Sequence, residues 1–265
     1  WCSGAAALAP PPSGVPRTGT TPGAHPGGGF TQRLGETEGT DASWFIPALQ
    51  AAGLLALISY ANWAAFLGAE HYHYVGTGRH YLSPFFSPYI KPAWLPDWFS
   101  PAILILWAPL GFRGTCYYYR KAYYRSFFAD PFACAVGEAR AKGYCGELKF
   151  PFLLMNLHRF FLYAAFIPLA FLWLDVVQAF TIGGRFGIAG GSLAILASTV
   201  TLSLYTFSCH SLRHLVGGKL DCFSCVTGGG PRHRAWSMIT TINEHHMGWA
   251  WASLFAVCGA DLYVR

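Results

Sequence analysis

A chain of 265 residues with a net charge of +6 is hydrophobic over 53% of its length and charged over only 11%, whereas soluble domains carry about a quarter charged residues. That composition excludes an ordinary water-soluble domain, and several spans of ~20 residues each leave no room for a second catalytic domain. The basic residues stand in patches beside apolar runs, which makes them topology and docking charge and excludes a nucleic-acid partner.

Positions 1–42 are rich in Gly, Pro, Thr and Ala without a periodic apolar face. They cannot offset the entropy of ordering and are expected as a disordered N-terminal arm. The chain opens on Trp1 and lacks the charged start, short apolar core and small-residue cleavage site of a signal peptide, so a fragment or processed form is expected. Residues 43–265 read as one all-α membrane domain, a bundle of five transmembrane helices at about 44–67, 99–119, 152–180, 188–215 and 235–262. Segment 70–98 is irregular and aromatic, suited to headgroup level, and its prolines argue against a sixth span. Arg113, Arg120, Lys121, Arg125, Arg140, Lys142 and Lys149 flank the loop between the second and third spans, and Arg213, Lys219, Arg232 and Arg234 that between the fourth and fifth. The other side holds only Arg79, Lys91, Arg185 and Arg265. The positive-inside rule then places the N-terminus and both basic loops in the cytoplasm, in a multi-pass protein of the plasma membrane.

Ionisable side chains in such spans are expensive and mark function. Cys116 closes the second span, His158 opens the third, Cys209, His210 and His214 end the fourth, and His245 and His246 lie within the fifth. The topology turns Cys116, His158, Cys209, His210 and His214 toward one leaflet. His158 should sit ~10 Å into its helix and His245 with His246 somewhat deeper, at ~15 Å. Three metal chemistries fit. Two imidazoles from facing helices could clamp a haem iron; two thiolates with two imidazoles would suit a Rieske-type 2Fe–2S cluster; and Cys222-x-x-Cys225 with a nearby His could hold zinc. Thiolate candidates are Cys116, Cys134, Cys209, Cys222 and Cys225, with metal ligation or inert burial favoured over disulfides. Cys145 and Cys258 are read as buried hydrophobes, and Cys2 has no role. His71, His73 and His80 are read as interfacial hydrogen bonders. For quinone chemistry, Tyr117, Arg120, Arg159, Asn243, His245 and His246 are the candidate hydrogen-bonding groups.

Thr115-Cys116-Tyr117-Tyr118-Tyr119-Arg120-Lys121-Ala122-Tyr123-Tyr124-Arg125, followed by Pro131-Phe132-Ala133-Cys134-Ala135-Val136, resembles the membrane-anchor subunit of bacterial succinate dehydrogenases (complex II) of the mycobacterial type. Asn156-Leu157-His158-Arg159, the run from Cys209 to Gly218 and the closing stretch 249–265 strengthen the resemblance, which covers 44–265. It implies a five-helix cytochrome b-like anchor that binds a flavoprotein subunit and an iron–sulfur subunit, with room for a small additional membrane subunit, and passes electrons from succinate to menaquinone. It also implies a membrane-embedded Rieske-type cluster in place of haem b, with Cys116, Cys134, His158 and His210 as ligands and Cys209 and His214 as alternates. FAD and further iron–sulfur clusters would belong to the partner subunits, since no Gly-rich dinucleotide fingerprint follows a strand here. The basic, aromatic face of Arg120, Lys121 and Arg125 is the expected docking surface. The rival readings are a b-type cytochrome anchor with bis-His haem and a non-redox membrane transporter.

Overall fold

The computed structural model describes residues 42–67, 72–76, 79–128, 148, 150, 152–218 and 220–265. The expected arm and Cys2, His71, Cys134 and Cys145 lie outside these residues. Four described helical segments are long and apolar enough to cross a membrane. They are Phe45–Leu67, in which helix α1 (Phe45–Asn62) runs into a π-turn (Trp63–Leu67); Phe152–Ala179, in which a 3-10 turn leads into α4 (His158–Ala179); α5 (Gly190–Phe207); and α8 (His246–Val264). α4 has 22 residues, or ~33 Å at helical rise, enough for a ~30 Å hydrocarbon layer.

The expected second span is shorter than a crossing. It folds as α2 (Ile103–Gly114), 12 residues and so ~18 Å long, preceded by turns through Pro101 and ended at Thr115. Among the described residues, four long helices and one short apolar helix stand where five full spans were expected. Two further expected spans are broken. Segment 188–215 divides at Ser208 and Cys209 into α5 and α6 (His210–Gly217), and 235–262 divides at Glu244 and His245 into α7 (Gly229–Asn243) and α8. α3 (Tyr117–Phe128) follows α2 after the two-residue break at Thr115 and Cys116. The fold is not purely helical either, since segment 70–98 holds the hairpin β1 (His73–Gly76) and β2 (Arg79–Leu82), and α4 and α5 are joined by the hairpin β3 (Thr181–Ile182) and β4 (Arg185–Phe186). Gly183 and Gly184 turn this second hairpin at positive φ, a backbone conformation other residues reach only with strain.

Helix packing follows membrane rules, in which small residues let backbones approach closely. α5 buries Gly191, Ser192, Ser198 and Thr199, and α8 buries Ala250, Ser253 and Ala260. A Cβ on Gly111 would lie 2.1 Å from the Phe161 ring, so only glycine permits this approach of α2 to α4. Outward, Phe160, Ile167, Leu174 and Phe255 are more than half exposed, a pattern suited to lipid and untenable in water.

The chain directions sort the bundle into two ends. α4 and α8 start at one end, where α2 and α5 finish and α3, α6 and α7 cluster; the hairpins and the C-terminus occupy the other. At that second end Asp261 is fully buried, accepting from Tyr60 Oη at 2.6 Å, from Ser83 Oγ and from Arg265 Nε at 2.7 Å.

Candidate functional site

The three helix breaks and the start of α4 carry the site. Thr115 donates its hydroxyl back to the Gly111 carbonyl at 2.6 Å, and Arg120 N–H bonds to Cys116 O at 2.9 Å, so Cys116 stands at the entry to α3. Cys209 is the N-cap of α6 with extended backbone, and Arg213 N–H bonds to its carbonyl at 3.0 Å. Asn243 Nδ2, at the end of α7, donates to Ser208 O at 2.6 Å and braces this break. His158 and His246 are the first residues of α4 and α8. Cys116 and Cys209 thus stand at the N-termini of α3 and α6, whose partial positive charge favours anionic groups.

Two imidazoles are held alike. His158 Nδ1 lies 3.0 Å from Thr115 Oγ1, and its Nε2 lies 3.2 Å from Cys209 Sγ. His246 Nδ1 lies 2.6 Å from Ser208 Oγ, and its Nε2 lies 3.6 Å from Cys116 Sγ. Both hydroxyls also reach backbone carbonyls, Thr115 that of Gly111 and Ser208 that of Tyr205 at 3.1 Å. With the hydroxyl protons on these carbonyls each Nδ1 carries a proton and the Nε2 lone pair faces a sulfur, one of the two tautomeric arrangements that these contacts allow. Aromatic rings fix the planes, with His158 stacked on Phe112 at 4.7 Å and His246 on Tyr205 at 5.0 Å. The connectivity is crossed. The hydroxyl of Thr115-Cys116 orients the histidine that faces Cys209, and the hydroxyl of Ser208-Cys209 orients the histidine that faces Cys116.

These four residues line one cavity of about 230 Å³ together with Thr115, Tyr117, Tyr118, Arg120, His210 and neighbours. Among the described residues no three His, Cys, Asp or Glu side chains gather as a single-ion site. The donors stand as two cysteine–histidine pairs around a space. Beneath the cavity the Arg113 guanidinium lies 4.9 Å from the Tyr205 ring centre and donates to Ser253 Oγ at 3.1 Å. On α3, outside the spans, burial pushes the Tyr123 phenol up to about 12, which keeps it a neutral donor to Gly114 O at 3.1 Å.

The expected residues separate under this geometry. Cys116, His158 and Cys209 meet at the cavity; His210 reaches it from an exposed position, and Tyr117 and Arg120 line it. His246, expected deeper and among quinone groups, opens α8 at the cavity because the fifth apolar run breaks just before it. His245 is exposed on the preceding turn. His214 and Arg159 do not line this cavity; they line a separate pocket with Arg232. Arg120 is buried beneath Tyr117, its guanidinium 5.1 Å from that ring, and is no exposed docking charge. Cys222 and Cys225 form a disulfide, which withdraws both from zinc or cluster ligation. Cys258 is a buried free thiol in an apolar cluster. Spacing alone does not disclose His246 or the orienting pair Thr115 and Ser208; the repeated hydroxyl–cysteine dipeptide at a helix start is the signal that could have found them.

The family model for the actinobacterial succinate dehydrogenase subunit SdhC matches residues 45–265. A chain in the solved structure of the Mycobacterium smegmatis Sdh1 complex in the apo form is 39% identical, the match covering 88% of this chain and 90% of that one with a TM-score of 0.76. A search of curated proteins gave no match.

Proposed function

The chain belongs to the family of actinobacterial succinate dehydrogenase SdhC subunits, and from that premise we propose that it anchors the complex in the plasma membrane and passes electrons from the partner iron–sulfur subunit to menaquinone through a group held in the cysteine–histidine cavity. The crossed pairing of Thr115-Cys116 and Ser208-Cys209 with His246 and His158 is the observation that carries this reading. Cys116, Cys209, His158 and His246 would hold the group; of the other expected ligands, His210 also lines the cavity, His214 lines the separate pocket and Cys134 lies outside the described residues. A Rieske-type 2Fe–2S cluster bound there supplies one-electron transfer at a potential raised by its imidazole ligation.

The chain's own residues prepare that chemistry. Thr115 and Ser208 hold both imidazoles as Nδ1–H tautomers, as hydrogen-bonded partners do for metal-ligating histidines elsewhere. The N-termini of α3 and α6 favour thiolates at Cys116 and Cys209, and Phe112 and Tyr205 exclude water from one side of each ring. Tyr117 and Arg120, on the cavity wall, supply donors for a quinone oxygen as it gains charge. Exposed Lys121 remains as docking charge for the soluble subunits, with the site end and the N-terminus cytoplasmic by the distribution of basic residues. FAD and the succinate-oxidising residues would lie in the flavoprotein subunit. Low-temperature EPR of the dithionite-reduced complex, with iron, sulfide and haem analysis, tests the reading. A mixed-ligand 2Fe–2S signal beyond those of the iron–sulfur subunit is expected, and a haem spectrum without it would overturn the assignment.

A further inference from the structure

A second polar cavity, of about 320 Å³, lies beside the site and is lined by Arg159, His214, Leu215, Gly218, Leu220 and Arg232. It draws one wall from each of α4, α6 and α7, and none of its described lining residues is acidic. Arg159 Nη2 lies 3.3 Å from His214 Nδ1. Arg232 is fixed by Nε donating to Val216 O, with Nη2 3.4 Å from Gly218 O. Neither arginine has a carboxylate partner among the described residues. Two guanidinium groups and an imidazole around a space without a counter-charge call for an anion, and arginine's planar fork matches phosphate oxygens in particular.

The surroundings decide the source of that phosphate. Arg159 is the second residue of α4, the helix on which Phe160, Tyr163, Ile167 and Leu174 are exposed and apolar, and Leu215 of the pocket lining is exposed as well. A basic pocket at the end of a spanning helix with exposed apolar side chains fits a phosphodiester headgroup whose acyl chains lie along the helix. A soluble acidic peptide would make no use of those side chains, and free phosphate would need none of them. We propose that Arg159, His214 and Arg232 form a binding site for the headgroup of an anionic phospholipid. The site is separate from the cysteine–histidine cavity and stands whether or not a cluster binds there.

The test uses the purified complex carrying this subunit, delipidated in a neutral detergent. Native mass spectrometry should find a retained phospholipid of anionic headgroup, and vesicles of phosphatidylglycerol should raise the thermal midpoint while phosphatidylcholine vesicles do not. R159Q and H214Q, both at exposed positions, should each weaken the phosphatidylglycerol effect about tenfold through loss of a hydrogen-bonding partner to phosphate, with the soluble subunits still attached. R159K should restore part of it, which guards against a variant that simply folds badly. An equal response to phosphatidylcholine, or variants that bind lipid as the parent does, would overturn the proposal. So would inorganic phosphate reproducing the whole stabilisation, which marks a free-anion site, or variants that shed the soluble subunits while keeping the lipid, which marks a protein-docking surface.

Discussion

At one end of the bundle Asp261, fully buried, takes hydrogen bonds from Tyr60, Ser83 and Arg265, and Arg265 spends another donor on Ala64 O at 2.7 Å while its guanidinium covers Trp63. At the other end Cys116, Cys209 and His246 are buried and His158 half-buried, and their Nε2 and sulfur atoms, in contact pairwise, border a cavity. Both ends place costly polar groups in a membrane protein. In the first, each polar group answers another within the protein, which makes a clamp joining α1, the loop after β2 and α8. In the second, the outer atoms (the Nδ1 groups and hydroxyls) are satisfied and the inner ones are presented. Polar burial alone therefore does not mark a site; burial with one atom of each group held and the other offered does.

The largest effect should come from removing an offered atom. C116S or H158A should abolish the mixed-ligand EPR signal and slow quinone reduction by the complex, while oxidation of succinate with an artificial acceptor persists in the soluble subunits. A bis-His haem would answer differently, since H158A would remove an optical haem band and C116S would leave it. If both variants retain the parent spectrum and quinone activity, the offered atoms bind nothing.

Removal of a clamp atom should show the reverse phenotype. D261N leaves the Arg265 guanidinium buried without its carboxylate, and breaking a buried ion pair from one side costs about 3–5 kcal/mol. The expected outcome is a lower thermal midpoint and yield with an unaltered EPR line shape. A changed line shape at unchanged stability would mean that the clamp belongs to the redox machinery after all.

Orienting hydroxyls lie between these extremes. T115V and S208A remove the acceptor that holds each Nδ1 proton, and loss of such a partner typically lowers metal affinity or activity by about 10–100-fold. T115S, which keeps the hydroxyl, should recover the loss. If T115V and T115S behave alike, Thr115 is filling space and not orienting His158.

The contrast also shows what a one-dimensional reading can reach. Composition and apolar runs placed the membrane class, four of the spans and the convergence of Cys116, His158 and Cys209, because hydrocarbon depth is written in consecutive residues. The breaks at 115–116 and 208–209 were read through because each lies at the edge of or inside an apolar run, and the break at 244–245 was read through although the polar stretch Asn243-Glu244-His245-His246 marks it. They are tertiary features: Asn243 braces one, Thr115 and Ser208 sit on two, and their cost is offset by the polar groups they align. Missing the third break placed His246 too deep and among the quinone groups, and Asp261 went unremarked because a lone acid near the end of an apolar run gives no sign of Tyr60 or Ser83, each well over a hundred residues away.

The smallest expected effect belongs to Arg113, which is a partly buried cation with neither end's arrangement. Its fork reaches Tyr119, Ala250 O at 3.3 Å and Ser253 Oγ at 3.1 Å, with no carboxylate among these partners, and it stands one turn before Cys116. Reduction of a group in the cavity adds negative charge, which a nearby positive charge in a medium of low dielectric stabilises. R113Q should therefore lower the reduction potential of the EPR-active centre while leaving its ligands and line shape intact, and R113K should fall between the two. A redox titration that finds R113Q unchanged or raised would reduce Arg113 to a packing role between α2, α3 and α8, and the cavity would then owe its positive surroundings to Arg120 and the helix N-termini.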